Sequence, residues 1–418
     1  METYPATVGQ LSVWHDLVRI PAERRWEANL QFTWDLPDGA AEQPVWDALA
    51  RLARRHGSLR TRYVVDENGL PRQWLSEDTA AVHEQVRQGT ADAAERAEAE
   101  RRELRTAIDV RTELPWRALL LLAGGRPAAL VVTLHHMAAD GVAGLIMRDD
   151  FLRLLAGEEL PAAPGPRELA LAQQGADGGR LRTAERHWRR TLAAAPRVSS
   201  AGGAGGNERI GATLRTGIPM PHAHAMAATT GVSLSSVLLA VYHRALCAAG
   251  DETAHLMFSM SNNRYDDTQA AMVTSLNQWV PLLLDAGTSK PAAPLATVAE
   301  RVHWKHFGAL KHGVYSPAAA AAARAEQPDV DLGYHYNPML TPPGFPSADR
   351  AAPPAVEYYE PARATGPGFY VIARGLTSLE LDLRVGRPGW DGPRVRTFVD
   401  RVTAELHALS PAASGPSW

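Results

Sequence analysis

The segment AALVVTL at residues 128–134 is almost wholly apolar and ends in the β-branched Val131, Val132 and Thr133. A continuous run of this kind predicts a buried strand. From Gly141 the period changes: Val142, Leu145, Ile146 and Leu152 recur at helical spacing. The same alternation of regimes runs through the whole chain. VWDALARLARRH (45–56) has the period of a helix, whereas LRTRYVV (59–65) and PWRALLLLA (115–123) read as strands. AERAEAERRELRTAI (94–108) is a charged amphipathic helix, most simply an exposed face.

Between Gly157 and Gly206 the chain turns rich in Pro, Gly and Ala, with EELPAAPGP and SSAGGAGG flanking one helix. This reads as a crossover between two halves, its second loop mobile. The second half opens with two helices over 224–250, the SLSS run capping the second. HLMFSMSNN (255–263) and QWVPLLLD (278–285) read as strands, followed by a long helix over 295–310 and an alanine-rich helix over 316–328. GYHYNPM, with His335 and Asn337, has a strand pattern. The tail reads as strand, strand, helix over 368–374, 379–385 and 395–409.

Mixed elements in both halves of a 418-residue chain predict an α/β protein of two domains. A hydrophobic share of 45% supplies a substantial core, and the net charge of −3 gives no reason to expect nucleic acid or an anionic membrane as partner. Arg-rich stretches such as RLARRH and ERHWRR fall on helices and read as solvated faces. The single cysteine, Cys247, rules out an internal disulfide and suits a reducing cytoplasm. The N-terminal METYPATVGQ lacks the basic and apolar regions of a secretory signal, and no apolar stretch reaches the ~20 residues that cross a bilayer.

The chemistry concentrates in LHHMAADG, where His135 and His136 are followed by Asp140 and Gly141. Successive side chains on a strand point to opposite faces, so the pair offers one working imidazole. Its ordinary pKa of roughly 6.5 lets it take a proton from an amine or hydroxyl near neutral pH and return it. A pair of histidines satisfied within a core is the alternative, and the Asp-Gly that follows weighs against it. A metal site is not expected at this motif: the neighbouring rings diverge, and no His-x-x-x-His or second acidic cluster lies near it. Asp140 reads either as an acid or as a structural carboxylate. Gly141 either lets a ligand approach the backbone or simply permits the turn into the helix.

LHHMAADG resembles the HHxxxDG signature of the condensation-domain superfamily, which joins nonribosomal peptide synthetase condensation domains to chloramphenicol-acetyltransferase-like acyltransferases. Other segments follow in that family's order. TVGQLSVWHDL, with Gln10 and Trp14, is similar to its opening motif. RRHGSLRTRYV, with Arg55, His56, Leu59, Arg60 and Thr61, resembles RHExLRTxF, although Gly57 stands where that pattern has Glu. Asn263 and Arg264 match an Asn-Arg pair, and MVTSLNQWVPLLLD is the counterpart of GxFVNTLPLR. Asn277 aligns with that asparagine, whereas Leu276, Gln278 and Trp279 depart. ELALAQQG lacks the tyrosine the family places at a helix start, and only ERHWRRTL looks like the helix that follows.

The resemblance implies two chloramphenicol-acetyltransferase-like α/β lobes arranged as a V around a channel: an N-terminal lobe over 1–175 with the His motif, and a C-terminal lobe over 176–418 with the Asn-Arg pair. It implies a free-standing enzyme that joins a carrier-bound acyl or aminoacyl thioester to an amine or alcohol, forming an amide or ester in natural-product biosynthesis. The phosphopantetheine arrives on the carrier protein or as coenzyme A, with no cofactor tightly bound. Catalysis falls to His136, as base or positioning group, and to the Gly141 N–H facing the developing oxyanion. His135, Asp140 and Arg264 become structural, with Arg264 pairing with Asp140, and Asn277 and Trp279 line the channel. An acyl-coenzyme A acyltransferase and a non-catalytic recruitment domain are the alternatives. No Gly-x-Asp-Ser carrier motif and no adenylation loop occurs in the sequence, so activation is expected elsewhere.

Overall fold

The computed structural model describes residues 2–76, 86–90, 93–175, 178–197, 209–250, 254–285, 293–341, 353–363, 365–375 and 377–409. The chain forms two compact units, one of residues 1–181 with 262–278, the other of 182–261 with 279–418.

The first unit is built on two sheets. Strands β1 (Tyr4–Pro5), β4 (Pro71–Leu75) and β3 (Thr61–Val65) form one, in that order. The other runs β2 (Asn29–Asp35), β7 (Arg126–His135), β6 (Trp116–Ala123), β5 (Val86–Thr90). The apolar run of 128–134 is the body of β7, and it lacks alternation because both of its faces are covered. Leu130, Val132 and Leu134 pack into a core with Trp34, Leu49, Leu52 and Phe151, which brings in the helices Glu42–Arg55 and Gly141–Leu155. Ala129 and Val131 pack on the opposite side with Ala99 of the helix Ala93–Arg105. That helix is therefore not only an exposed face: Glu103 is buried as well, 3.6 Å from Arg117.

The second unit holds a seven-stranded sheet in the order β10 (Gln278–Leu284), β9 (His255–Ser261), β11 (Tyr334–Leu340), β13 (Phe369–Gly375), β14 (Ser378–Val385), β8 (Ile210–Pro219), β12 (Ala355–Tyr359). β9, β11 and β13 are parallel, while β13, β14, β8 and β12 pair antiparallel. Helices Leu234–Ala249, Leu295–Leu310 and Gly392–Leu409 contribute to one large core, with Tyr242, Tyr336, Phe369 and Phe398 among its largest side chains. Ser233 caps the helix Leu234–Ala249, its side chain accepting from the Ser236 N–H.

Two boundaries differ from the sequence reading. The first unit extends to Leu181 rather than ending at residue 175, and the Asn-Arg segment expected in the C-terminal lobe packs with the first unit. The cause is hydrogen bonding: the segment's side chains and peptide groups bind Asp140 and Gln10. The crossover contains two helices, Pro166–Gly175 and Gly178–Ala193, instead of one. The loop SSAGGAGG lies outside the described residues. Among the described residues no single helix is long and apolar enough to cross a membrane.

Candidate active site around the His motif

Strand β7 delivers His135 into the core and His136 to its edge. His135 is buried, and its Nδ1 accepts from the Met137 N–H at 3.1 Å. Burial, with the neighbouring His136 adding to it, pushes its pKa down to about 3. It is a neutral structural imidazole. His136 is half-buried, its backbone N–H donating to the Ala28 carbonyl at 2.8 Å. Its Nδ1 lies 3.3 Å from Ser275 Oγ, which in turn donates to Asn277 Oδ1 at 3.2 Å. A hydroxyl has one proton, so a Ser275 that donates to Asn277 can only accept from His136 Nδ1–H. That tautomer carries the ring's lone pair on Nε2.

Asp140 caps the helix Gly141–Leu155. Oδ1 accepts from the Ala143 N–H at 2.9 Å and Oδ2 from the Leu276 N–H at 2.9 Å. Arg264 adds a two-pronged contact, Nη1 to Oδ2 and Nη2 to Oδ1, each 2.9 Å. Both oxygens are thus occupied, and both side chains are almost fully buried. This geometry suits a structural carboxylate and leaves no oxygen facing a substrate. Arg264 also donates to the carbonyls of Asn262, Met272 and Thr274. The turn that aims it runs through Asn263, which has a left-handed φ of 51° that asparagine tolerates better than most residues. Asn263 Nδ2 then ties down the Leu276 carbonyl at 2.8 Å.

Gly141 is the first residue of its helix, and its φ is not positive. The turn therefore does not require glycine. Its N–H belongs to the first turn, where no carbonyl of the same helix can reach.

The remaining sequence motifs build the frame. Gln10 Nε2 donates to Tyr63 Oη at 2.9 Å and lies 3.2 Å from Thr274 Oγ1, while Tyr63 donates to the Met137 carbonyl at 3.1 Å. This chain of bonds links the N-terminal helix Val8–Leu17 to the His-motif turn. Gly9 lets that helix touch the segment carrying Ser275: a Cβ there would stand 2.3 Å from the Ser275 carbonyl oxygen. His56 Nε2 and Arg55 Nε both reach Asp150 Oδ2, at 2.7 and 2.8 Å. Gln278 is buried and donates to Ser12 Oγ at 2.8 Å, so it is part of the packing.

The first unit thus gathers His135, His136, Asp140, Gly141, Arg264 and Asn277. Trp279 belongs to the second unit, where it meets His335 and Tyr370 edge-on with centroids 4.8 and 5.7 Å apart. Ser275 and Tyr63 are the residues the sequence reading missed. Tyr63 sits within the RRHGSLRTRYV motif, but no spacing in the sequence marks Ser275.

A family model described as Condensation domain matches residues 2–302. The chain belongs to the condensation-domain family. Surfactin synthase subunit 2 of Bacillus subtilis is 26% identical over 310 residues, covering 71% of this condensation domain and 8% of that protein. Cyclosporin synthetase simA of Tolypocladium inflatum is 32% identical over 139 residues, covering 32% of this chain and 1% of that protein. The chain thus spans less than a tenth of the length of these relatives. Among solved structures, the condensation domain studied for chain release from the enacyloxin polyketide synthase superimposes with a TM-score of 0.78 at 17% identity, over 100% of this chain and 85% of that one. The X-domain solved in complex with OxyB from teicoplanin biosynthesis gives 0.68 at 17% identity, over 98% and 94%. This condensation domain therefore shares the chloramphenicol-acetyltransferase-like, two-lobed α/β fold of those structures.

Proposed function

We propose that the chain catalyses condensation: an acyl or aminoacyl group, held as a thioester on the phosphopantetheine arm of a carrier protein, passes to an amine or alcohol. The product is an amide or ester in natural-product assembly. The reading rests on one observation, the half-buried His136 ring of the His motif, oriented through Nδ1 by Ser275. The acceptor's nitrogen or oxygen attacks the thioester carbonyl as His136 Nε2 takes its proton. The carbonyl oxygen becomes an oxyanion that the Gly141 N–H can meet. Collapse breaks the C–S bond, and the departing thiolate takes the proton back from His136.

Alignment of the two substrates supplies up to roughly 7–11 kcal/mol in well-oriented reactions, and a general base typically adds ~10²–10⁴-fold. A neutral amine is a good nucleophile already, whereas an alcohol must lose its proton nearly in step with attack. Dependence on His136 is therefore steeper for alcohols. His135, Asp140 and Arg264 hold the motif in place, and Asn277 positions Ser275. Neither a carrier attachment motif nor an adenylation loop occurs in these 418 residues. The donor is thus activated elsewhere, on another protein or another segment of the same one.

The likeness to an X-domain favours a second reading, a recruitment module without turnover. Mass spectrometry of products, from acyl-carrier, acyl-pantetheine and acyl-coenzyme A donors with mixed amines and alcohols, separates the readings. A product made from carrier-bound donor and lost in His136→Ala supports condensation. Turnover of free acyl-coenzyme A moves the chain to the coenzyme A-dependent acyltransferases, and carrier binding without any product favours recruitment.

A further inference from the structure

The second unit contains a cluster that the condensation chemistry does not use. His243 and Cys247 stand four positions apart on the helix Leu234–Ala249, and so share one of its faces. His255 begins the neighbouring strand β9. One donor atom from each of the three lies within 4.8 Å of the others. We propose that His243, Cys247 and His255 form a binding site for a zinc-class transition-metal ion that ties this helix to β9.

The two imidazoles already stand at the separation of ligands on one ion, and the thiol lies close beside them. Two nitrogens ~2.05 Å from a tetrahedral zinc lie about 3.3 Å apart; His243 Nδ1 and His255 Nδ1 are 3.2 Å apart. A nitrogen and a thiolate sulfur on the same ion lie about 3.6 Å apart; Cys247 Sγ is 4.0 Å from His243 Nε2, the ring nitrogen that does not face His255. With the ion on the two Nδ1 atoms, the Cys247 side chain must turn toward them from its place beside Nε2 to complete the set. Two imidazoles and a thiolate suit zinc, or its spectroscopic substitute cobalt, and are poor partners for magnesium or calcium. The His243 ring also has a hydrogen bond to the Asp285 backbone, the kind of outer contact that fixes a ligating imidazole. Both histidines are buried and Cys247 is half-buried, so an ion would enter from the cysteine side, where water can fill a fourth position. Binding converts the Cys247 thiol to a thiolate, its proton passing to solvent.

Cys247 is the chain's single cysteine, which makes the test specific. Untagged full-length protein, stripped with chelator, is titrated with Co(II) and then Zn(II). The expected result is one Co(II) bound per chain with a thiolate-to-cobalt charge-transfer band, displaced by Zn(II), and a melting temperature that rises with Zn(II). Cys247→Ser should lose the band and bind at least about tenfold more weakly. Absence of the band in the wild-type protein overturns the proposal, even if a variant fails to fold. So does equal Zn(II) affinity in wild type and Cys247→Ser.

Discussion

Asp140, at the start of the helix Gly141–Leu155, and Asp150, further along it, are both buried carboxylates met by arginine. Their surroundings differ in one respect. Asp140 is held only by groups of fixed charge, two peptide N–H groups and both prongs of Arg264. Asp150 shares its bonds between Arg55 and His56, a partner that can change charge. Burial works to raise the Asp150 pKa, but the hydrogen bonds from His56 and Arg55 outweigh it and hold it below the usual carboxylate value. Burial in turn lowers His56, against the pull of Asp150. The helix end that carries the His motif is thus fixed electrostatically, whereas its other half contains a titratable joint.

Arg264→Ala should break the first arrangement most severely. It strands a buried carboxylate and should cost about 3–5 kcal/mol in urea unfolding. Arg55→Ala leaves His56 as a partner and should cost about 1–3 kcal/mol. It also removes a positive charge that depresses His56. With its pKa raised in the variant, His56 loses less stability on acidification than in the wild type. The gap between the two proteins should therefore narrow from about pH 8 to about pH 6. Equal losses for the two arginine variants, or a gap that does not depend on pH, would remove the contrast.

Buried histidines in both units add a general acid sensitivity. Burial holds His135, His306 and His335 at about 3, about 4 and about 3. Because these folded values lie below ~6.5, the unfolded chain takes protons first as the pH falls. Their stabilising effect is complete above ~6.5 and is lost progressively below it. Each should cost about 1.4 kcal/mol by about pH 5.5, readable in urea unfolding across pH. Ser275→Ala is the mildest change: it removes the hydrogen bonds to His136 and Asn277 and should slow turnover up to about tenfold, at a cost of about 1 kcal/mol in urea unfolding.

The His-motif strand was legible because both faces of β7 are covered, leaving a continuous apolar signal in Leu130 to Leu134. The helix after it was legible from its period and from Asp140 as its cap. The partnership of Asp140 with Arg264 is different. The residues lie 124 positions apart, and no local pattern links them, so only the resemblance to a family named the pair. Ser275 stayed hidden because it lies in an irregular segment, 271–277, where neither periodicity nor propensity marks a side chain. Its position is set by the close approach of Gly9 and by hydrogen bonds from Gln10 and Asn263 to its neighbours. The return of 262–278 to the first unit was invisible for the same reason, since it depends on contacts distant in sequence.

The most direct test of the central claim is single-turnover product formation from a carrier-bound donor by the wild-type chain and His136→Ala, with their melting temperatures compared. The account predicts a loss of ~10²–10⁴-fold in the variant, larger for an alcohol than for an amine, with the fold intact. Wild-type rates in a folded His136→Ala protein would contradict it.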